Sequence, residues 1–342
     1  LVRHYTLNEN MMFDAGDSVE KAKNAAQRMV AEAPHLVAAT GAYLSSFTLA
    51  VTEVTERAQL PMVTFSYSDQ ITARGFKYVF QTSATGDQQA EGSLPALLAM
   101  AEKSSGKRPK TIGIVMDNTA ASLAFVKPIR ATQLAKLGLT LVVDETFTPP
   151  LANATPLIQK VRAKRPDMLL LLPTAISDAK LLLEKMNEFG LGDGRLPTIS
   201  NGAAILDPDL RANMNVAQLE GVMSVVANWG TSAQKDMSDE FRRRTGEPWA
   251  TQHFLTTYGD MWIFKAALEA AGKADRASVA NALRTMDLSN GPAKFFPGGR
   301  VKFDAAGRRE GAGLLIVQWQ NGVPVTVYPV KEAVAEPRWP KR

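Results

Sequence analysis

Two short runs, TIGIVM at residues 111–116 and MLLLLP at residues 168–173, are apolar almost throughout. Neither is long enough for an ordinary helix, and neither approaches the ~18 residues of a membrane span. A strand apolar on both faces has to be covered on both faces, as in a parallel sheet layered between helices. The flanking sequence supplies those layers. Helices are predicted at residues 88–103, 123–137, 156–164 and 177–189, with further strands at 140–147 and 198–200. Strand and helix alternate, which is the pattern of a doubly wound α/β sheet.

The same logic applies upstream, at residues 37–68. A short apolar strand at 36–40 ends at Gly41, Ser45 and Ser46 open a helix reaching about residue 59, and a buried strand at 61–65 runs into Ser66-Tyr67-Ser68. In a parallel strand–helix–strand unit both strands end at the same sheet edge, where open α/β sheets bind ligands. Hydroxyls and backbone N–H groups at a helix N-terminus suit an anion such as a carboxylate. A capped helix and a polar loop would read the same way from this window alone.

Length and rhythm divide the chain. At 342 residues it suggests about two domains. An extended apolar piece near Tyr5, Leu7 and Met11-Met12-Phe13 leads to Asp14-Ala15-Gly16-Asp17-Ser18, and Ser18 caps a helix at 19–33. A short alternating strand is predicted at 74–81, with a boundary in the polar connection 82–87. Beyond Asn228-Trp229-Gly230 the rhythm becomes helical, at 233–245, 252–271 and 277–286. Strands at 300–303 and 313–319 are then expected to pair with 325–328 through Asn321-Gly322, a strong hairpin signal. The expected division is residues 1–86 with 229–312 as one lobe, 87–228 with 313–330 as the other, and a loosely held tail at 331–342.

Composition removes several classes of function. Apolar residues make up 45% and charged residues 21%, ordinary values for a soluble globular chain. The net charge of +5 is scattered. The clusters Lys107-Arg108-Pro109-Lys110 and Arg242-Arg243-Arg244 lack interleaved aromatics, which argues for solvated surface and against nucleic acid. With no cysteine there is no disulfide, thiolate metal site or cysteine nucleophile. His4, His35 and His253 are far apart in sequence and form no metal-binding spacing. No nucleophile elbow or phosphate loop occurs, and Gly190-Leu191-Gly192-Asp193-Gly194 follows a helix where a dinucleotide fingerprint would follow a strand. An enzyme, a metal site and a cofactor are therefore not expected. What remains is a set of strand-exit loops rich in small polar residues, at 41–46, 66–68, 117–122, 174–177 and 200–203. Were the two sheets to present these edges to each other, they would enclose a cleft suited to a small acid or amide.

The order of several weak fragments along some 310 residues resembles the type I periplasmic solute-binding proteins of ABC importers, in the branched-chain amino acid and amide group. The fragments are Asp14–Ser18, Gly41-Ala42-Tyr43-Leu44-Ser45-Ser46, Leu60-Pro61-Met62-Val63, Arg74-Gly75-Phe76 and Phe80-Gln81-Thr82. Thr257-Tyr258-Gly259-Asp260, Gly298-Gly299-Arg300-Val301-Lys302-Phe303-Asp304 and Val317-Gln318-Trp319-Gln320-Asn321-Gly322 complete the set. The resemblance implies two Rossmann-like lobes joined by three crossovers, with ligand trapped by hinge closure. It implies a periplasmic, monomeric protein that hands a small molecule to permease subunits, without chemistry or cofactor of its own. The ligand contacts it suggests are Ser45, Ser46, Ser66, Tyr67, Ser68 and Phe254 from the first lobe. From the second they are Asn118, Ala121, Ile176, Asn201 and Gly202.

Three departures sharpen the expectation. The family's amino-acid binders place a carboxylate after the strand at 198–200, opposite the ligand's ammonium. Here the loop reads Ser200-Asn201-Gly202-Ala203-Ala204, and burying a cation without a counter-charge is costly. The aromatic usual in the loop at 117–122 is replaced by Asn118-Thr119-Ala120-Ala121, leaving room for a bulkier ligand. The family's first strand and helix are not found ahead of Leu1, and no signal peptide is seen. The expected ligand is a small carboxylate or amide, aromatic or branched-chain amino acid-like, with an α-amino acid itself disfavoured by the missing carboxylate. The alternative is a cytoplasmic amide or amino-acid sensor on the same fold.

Overall fold

A computed structural model describes residues 12–339; His4 and the extended piece before Met12 lie outside the described residues. The chain divides into two compact units, Leu1–Thr85 with His253–Gly313 and Gly86–Gln252 with Leu314–Arg342.

The first unit opens with α1 (Val19–Glu32), whose N-cap Ser18 accepts from the Lys21 N–H and whose Ala22, Ala25 and Ala26 are buried. There follow β1 (Ala39–Thr40), α2 (Ser45–Arg57), β2 (Met62–Thr64) and β3 (Val79–Gln81). The three strands form a parallel sheet in the order β1-β2-β3. Ala22, Ala26, Val51 and Met62 pack the two helices onto it. Each strand is shorter than the sequence suggested. Most of residues 74–78 make no ladder, because Glu56 accepts from the Lys77 and Tyr78 N–H groups and the Arg74 guanidinium is spent on the Leu49 and Ile71 carbonyls.

The second unit runs through α3 (Gly86–Ser105), β4 (Thr111–Asp117), α4 (Ala120–Pro128), a π turn at Ile129–Gln133 and α5 (Leu134–Leu137). It continues through β5 (Thr140–Phe147), α6 (Thr155–Lys164), β6 (Met168–Leu172), α7 (Ile176–Glu188), β7 (Thr198–Asn201), α8 (Pro208–Asn213), β8 (Met223–Val226) and α9 (Lys235–Thr245). The helix expected at 123–137 thus runs unbroken from Ala120 to Leu137, with a π turn in its middle. Pro128 has no N–H to donate and its ring crowds the preceding turn, a usual cause of such an irregularity.

The chain returns to the first unit along α10 (Gln252–Ala271), α11 (Arg276–Thr285), β9 (Asp287–Leu288) and β10 (Val301–Lys302). Strand β10 pairs antiparallel with β9, so the expected pairing of residues 300–303 with the C-terminal hairpin is corrected. The chain then crosses back for β11 (Leu315–Gln320) and β12 (Val323–Tyr328), joined by Asn321 and Gly322 at φ 55° and 77°, as a type I′ hairpin requires.

The second unit's sheet has seven strands in the order β12-β11-β8-β7-β6-β4-β5, with β4 to β8 parallel and β11 and β12 antiparallel. The period-2 alternation of β6 serves two cores. Leu169 and Leu171 join one face with Ile158, Leu182 and Trp319, while Met168, Leu170 and Leu172 join the other with Leu94, Leu98 and Phe125.

Two expected boundaries move. Residues 229–252 belong to the second unit, because Trp229 and Trp249 are buried in the Trp319 core and the Trp249 indole donates to the Leu206 carbonyl. The tail expected to be loose is docked as far as Trp339, which is buried against the opposite face. The Arg338 N–H donates to Gln318 Oε1 at 2.9 Å, and Gln320 Nε2 donates to the Glu336 carbonyl at 2.8 Å.

Candidate functional site

The C-terminal edge of the first unit's sheet brings together four of the residues singled out from the sequence. Ser45, Ser66, Tyr67 and Ser68 are all buried at this edge, between 1% and 6% exposed. Ser45 Oγ accepts from the Tyr67 and Ser68 N–H groups, each at 3.1 Å. A serine hydroxyl accepts twice and donates once, so the O–H of Ser45 is what remains to offer a ligand. Ser68 Oγ caps a single 3-10 turn by accepting from the Gln70 N–H. Ser46 follows in the first turn of α2, whose N-cap Leu44 supplies no side-chain cap, and the positive end of the helix dipole lies at this edge.

The loop between β1 and α2 is bent sharply. Gly41 lies at φ 133° and Ala42 at φ 48°, the latter a left-handed conformation that a residue with a Cβ seldom adopts. The single O–H of Ser66 is shared between the Ala42 and Tyr43 carbonyls, at 3.0 and 2.8 Å, and Thr48 Oγ1 also donates to the Ala42 carbonyl. On the other side, Gln81 Nε2 donates to the Ser66 and Ser68 carbonyls at 2.6 and 3.1 Å, and Ser83 Oγ to the Ser66 carbonyl at 3.1 Å. The hydroxyls sit in a preorganised frame.

An aromatic wall that sequence reasoning missed adjoins this frame. The His253 ring lies edge-on to Tyr43 and Phe65, with centroids 4.4 and 5.6 Å apart. Burial pushes the His253 imidazole down to about 4, so it is neutral at pH 7 and adds no cation. Tyr43 stays half exposed. Phe254, the next residue on α10, packs on Tyr258 at 5.9 Å.

In the second unit the candidate residues also lie at strand exits. Asp117, fully buried at the end of β4, accepts from the N–H and hydroxyl of both Thr119 and Thr174, clipping the exits of β4 and β6 together. Asn118 and Ala121 flank that clip, with Asn118 Nδ2 donating to Thr148 Oγ1 at 2.9 Å. Ile176 opens α7. Asn201 is buried, donating to Gln89 Oε1 and the Val225 carbonyl, and Gly202 turns at φ 97°. Asn201 therefore fastens β7 to its surroundings as well as standing at the edge.

These groups can hydrogen-bond a small acid or amide. Among the described residues no three His, Asp or Glu side chains are grouped to hold a metal ion, and no helix is long and apolar enough to cross a membrane.

Residues 11–323 match the family model described as periplasmic binding protein. Among curated proteins the chain is 26% identical to Leu/Ile/Val-binding protein homolog 8 of Brucella melitensis over 345 residues, covering 97% of this chain and 84% of that protein. It is 24% identical to homolog 7 of Brucella suis over 342 residues, with the same coverage. Among solved structures it is similar to a leucine-binding protein from Thermotoga maritima, with a TM-score of 0.75 and 18% identity over 92% of this chain and 85% of that one. It is also similar to a solute-binding protein of an ABC transporter from R. palustris in complex with benzoate, with a TM-score of 0.72 and 16% identity over 94% and 85% of the two chains. Hydroxyl-lined strand exits, two α/β units and a family match spanning nearly the whole chain agree: the protein belongs to the periplasmic binding protein family, of the branched-chain amino acid ABC transporter type.

Proposed function

We propose that the chain is the extracytoplasmic solute-binding component of an ABC importer, and that it captures a small carboxylate or amide for the permease subunits. One observation carries this reading. At the edge of the first unit's sheet, the Ser45 and Ser68 hydroxyls stand beside the N-terminus of α2, framed by Ser66, with a neutral histidine next to them. Such a site neutralises a carboxylate through O–H and N–H dipoles rather than through a counter-ion.

The ligand is an acid without an α-ammonium. This is supported by the loop after β7, where Ser200, Asn201, Gly202, Ala203 and Ala204 include no carboxylate. The Tyr43, Phe65 and His253 rings favour a flat or branched apolar body. The benzoate bound by the R. palustris neighbour is a ligand of that kind, although the likeness of the two chains is one of fold. The contacts assigned are Ser45, Ser46, Ser66, Tyr67, Ser68 and Phe254, with Asn118, Ala121, Ile176, Asn201 and Gly202 from the second unit.

A thermal-shift screen with benzoate, short keto acids, aliphatic amides, leucine and valine tests the reading. A ligand that binds only the native state raises its midpoint. A shift with acids and none with leucine is expected; a shift with leucine alone overturns the assignment of the ligand. The Ser45→Ala, Ser68→Ala double variant should weaken binding of the active acid by about 2–4 kcal/mol, measured by calorimetry.

A further inference from the structure

The aromatic wall and the hydroxyl frame come from segments far apart in sequence, and one buried carboxylate joins them. Asp260 lies on the inner face of α10, two turns beyond His253, and is completely buried. Its carboxyl meets Thr40 Oγ1 at 3.0 Å and Thr82 Oγ1 at 3.4 Å. Thr40 is the last residue of β1, directly before the bent Gly41–Ala42 turn. Thr82 directly follows β3, donates also to the Thr64 carbonyl on β2, and neighbours Gln81 and Ser83, which hold the Ser66–Ser68 turn. A single side chain of α10 thus touches the exits of both outer strands.

The facing charge is fixed too. Arg309, itself 3% exposed, donates to the Thr82 carbonyl at 2.5 Å and to the Arg300 and Pro297 carbonyls at 2.9 Å each. Its Nε, Nη1 and Nη2 each donate to main chain, so it braces the β3 exit.

We infer that Asp260 is a positioning residue for the candidate site: it sets the β1 and β3 exits, and with them the 41–46 loop and the 66–68 turn, against the helix that carries His253 and Phe254. The inference rests on the solute-binding reading only in calling those segments ligand contacts. A carboxyl bridging two hydroxyls has the shape of a carboxamide, so Asp260→Asn should keep both contacts, one accepted and one donated. Asp260→Ala removes the carboxyl from Thr40 Oγ1 in a dry site and leaves Thr82 Oγ1 with the Thr64 carbonyl alone.

Hydrogen exchange followed by mass spectrometry on the whole chain, in the peptides covering 39–46 and 64–70, tests this without a ligand. Asp260→Ala is expected to speed exchange about tenfold in both windows while second-unit peptides keep wild-type rates. Thr40→Val should act mainly on 39–46 and Thr82→Val mainly on 64–70, and Asp260→Asn should stay within about twofold of wild type. Wild-type exchange in both windows of the alanine and valine variants would overturn the proposal. So would an asparagine variant as open as the alanine one, which would assign the role to charge. Should Asp260→Ala unfold the first unit, the two threonine variants decide alone. Titration of the wild type with benzoate and with leucine runs beside it. If neither binds, the solute reading falls while the exchange data still decide the role of Asp260.

Discussion

The two units share a layered plan and differ in what holds their strand exits. In the second unit a seven-stranded sheet is buried between two large apolar clusters, and a single carboxylate, Asp117, clips two exits by accepting four short hydrogen bonds. In the first unit three short parallel strands bury Met62, Val63, Val79 and Phe80, and the strand exits at the ligand edge are rich in buried hydroxyls. That edge is fixed by a connected set of hydroxyls, amides and the buried Asp260 and Arg309. Apolar packing tolerates a change of pH. A buried polar network is sensitive to every proton it holds.

The largest effect should come from the apolar side of this contrast. Trp319 is fully buried, packs edge-on against Trp249 at 5.4 Å and donates to the Ile205 carbonyl at 2.9 Å. Trp319→Ala is expected to cost about 3–5 kcal/mol. Urea unfolding followed by exchange in second-unit peptides should show that loss, with first-unit peptides unchanged below the transition. Equal losses in both would mean the units do not unfold independently.

Next comes the clip. Asp117→Ala strands the donors of Thr119 and Thr174 and should destabilise by about 1–3 kcal/mol. Asp117→Asn, which keeps a carbonyl acceptor, should cost less in the same unfolding assay.

The third prediction concerns pH. Burial pushes the Asp260 carboxyl up to about 8 from an ordinary value of 3.8. Between those values the folded chain keeps a proton that the unfolded chain has released, so this group's contribution to stability falls as pH rises from about 4 to 8. Thermal midpoints of the wild type should therefore decline across that range more steeply than those of Asp260→Asn. Parallel curves would show that Asp260 is ionised throughout. His253, pushed down to about 4, opposes folding only below its ordinary value of 6.5, so acid weakens the first unit through a separate group.

The smallest effect is a control on the outer surface of the second unit. Glu240 contacts Arg243 and Arg244 at 2.6 Å and its carboxyl is held down at about 2, yet all three side chains face water. Solvent screening leaves such pairs little net worth. Glu240→Ala should leave the thermal midpoint of either unit where it was.

The fold was largely legible because its signals are local. The apolar runs at β4 and β6, the Asn321-Gly322 turn and the Ser18 cap each declare themselves within a few residues. At the site, Ser45 and Ser66–Ser68 were legible as strand-exit residues, since a parallel strand–helix–strand unit dictates a common edge. Their partnership was not, because a serine hydroxyl receiving the amides of Tyr67 and Ser68 leaves no mark on spacing. Tyr43, Phe65 and His253 could not be grouped from sequence, as His253 arrives only after the chain has built most of another unit. Asp260 stood out only as part of a family fragment, and nothing in TYGD announces that its side chain turns inward. The tail was misread for the opposite reason. Residues 331–339 have the polar, proline-containing look of a loose end, yet Trp339 and main-chain bonds at Val334, Glu336 and Arg338 anchor them.

That docked tail bears on how molecules of this protein behave toward one another. A seven-stranded open sheet has two free edges, each able to recruit a strand from a neighbour. On the β5 edge, Asp144 and Glu145 pair with Arg130 and Lys160, placing charge where a foreign strand would approach. On the β12 edge the Val334 N–H donates to the Thr326 carbonyl at 2.9 Å, so the tail occupies part of the ladder that β12 would otherwise offer. The tail segment at Val334 thus guards the β12 edge against pairing with a neighbour's strand.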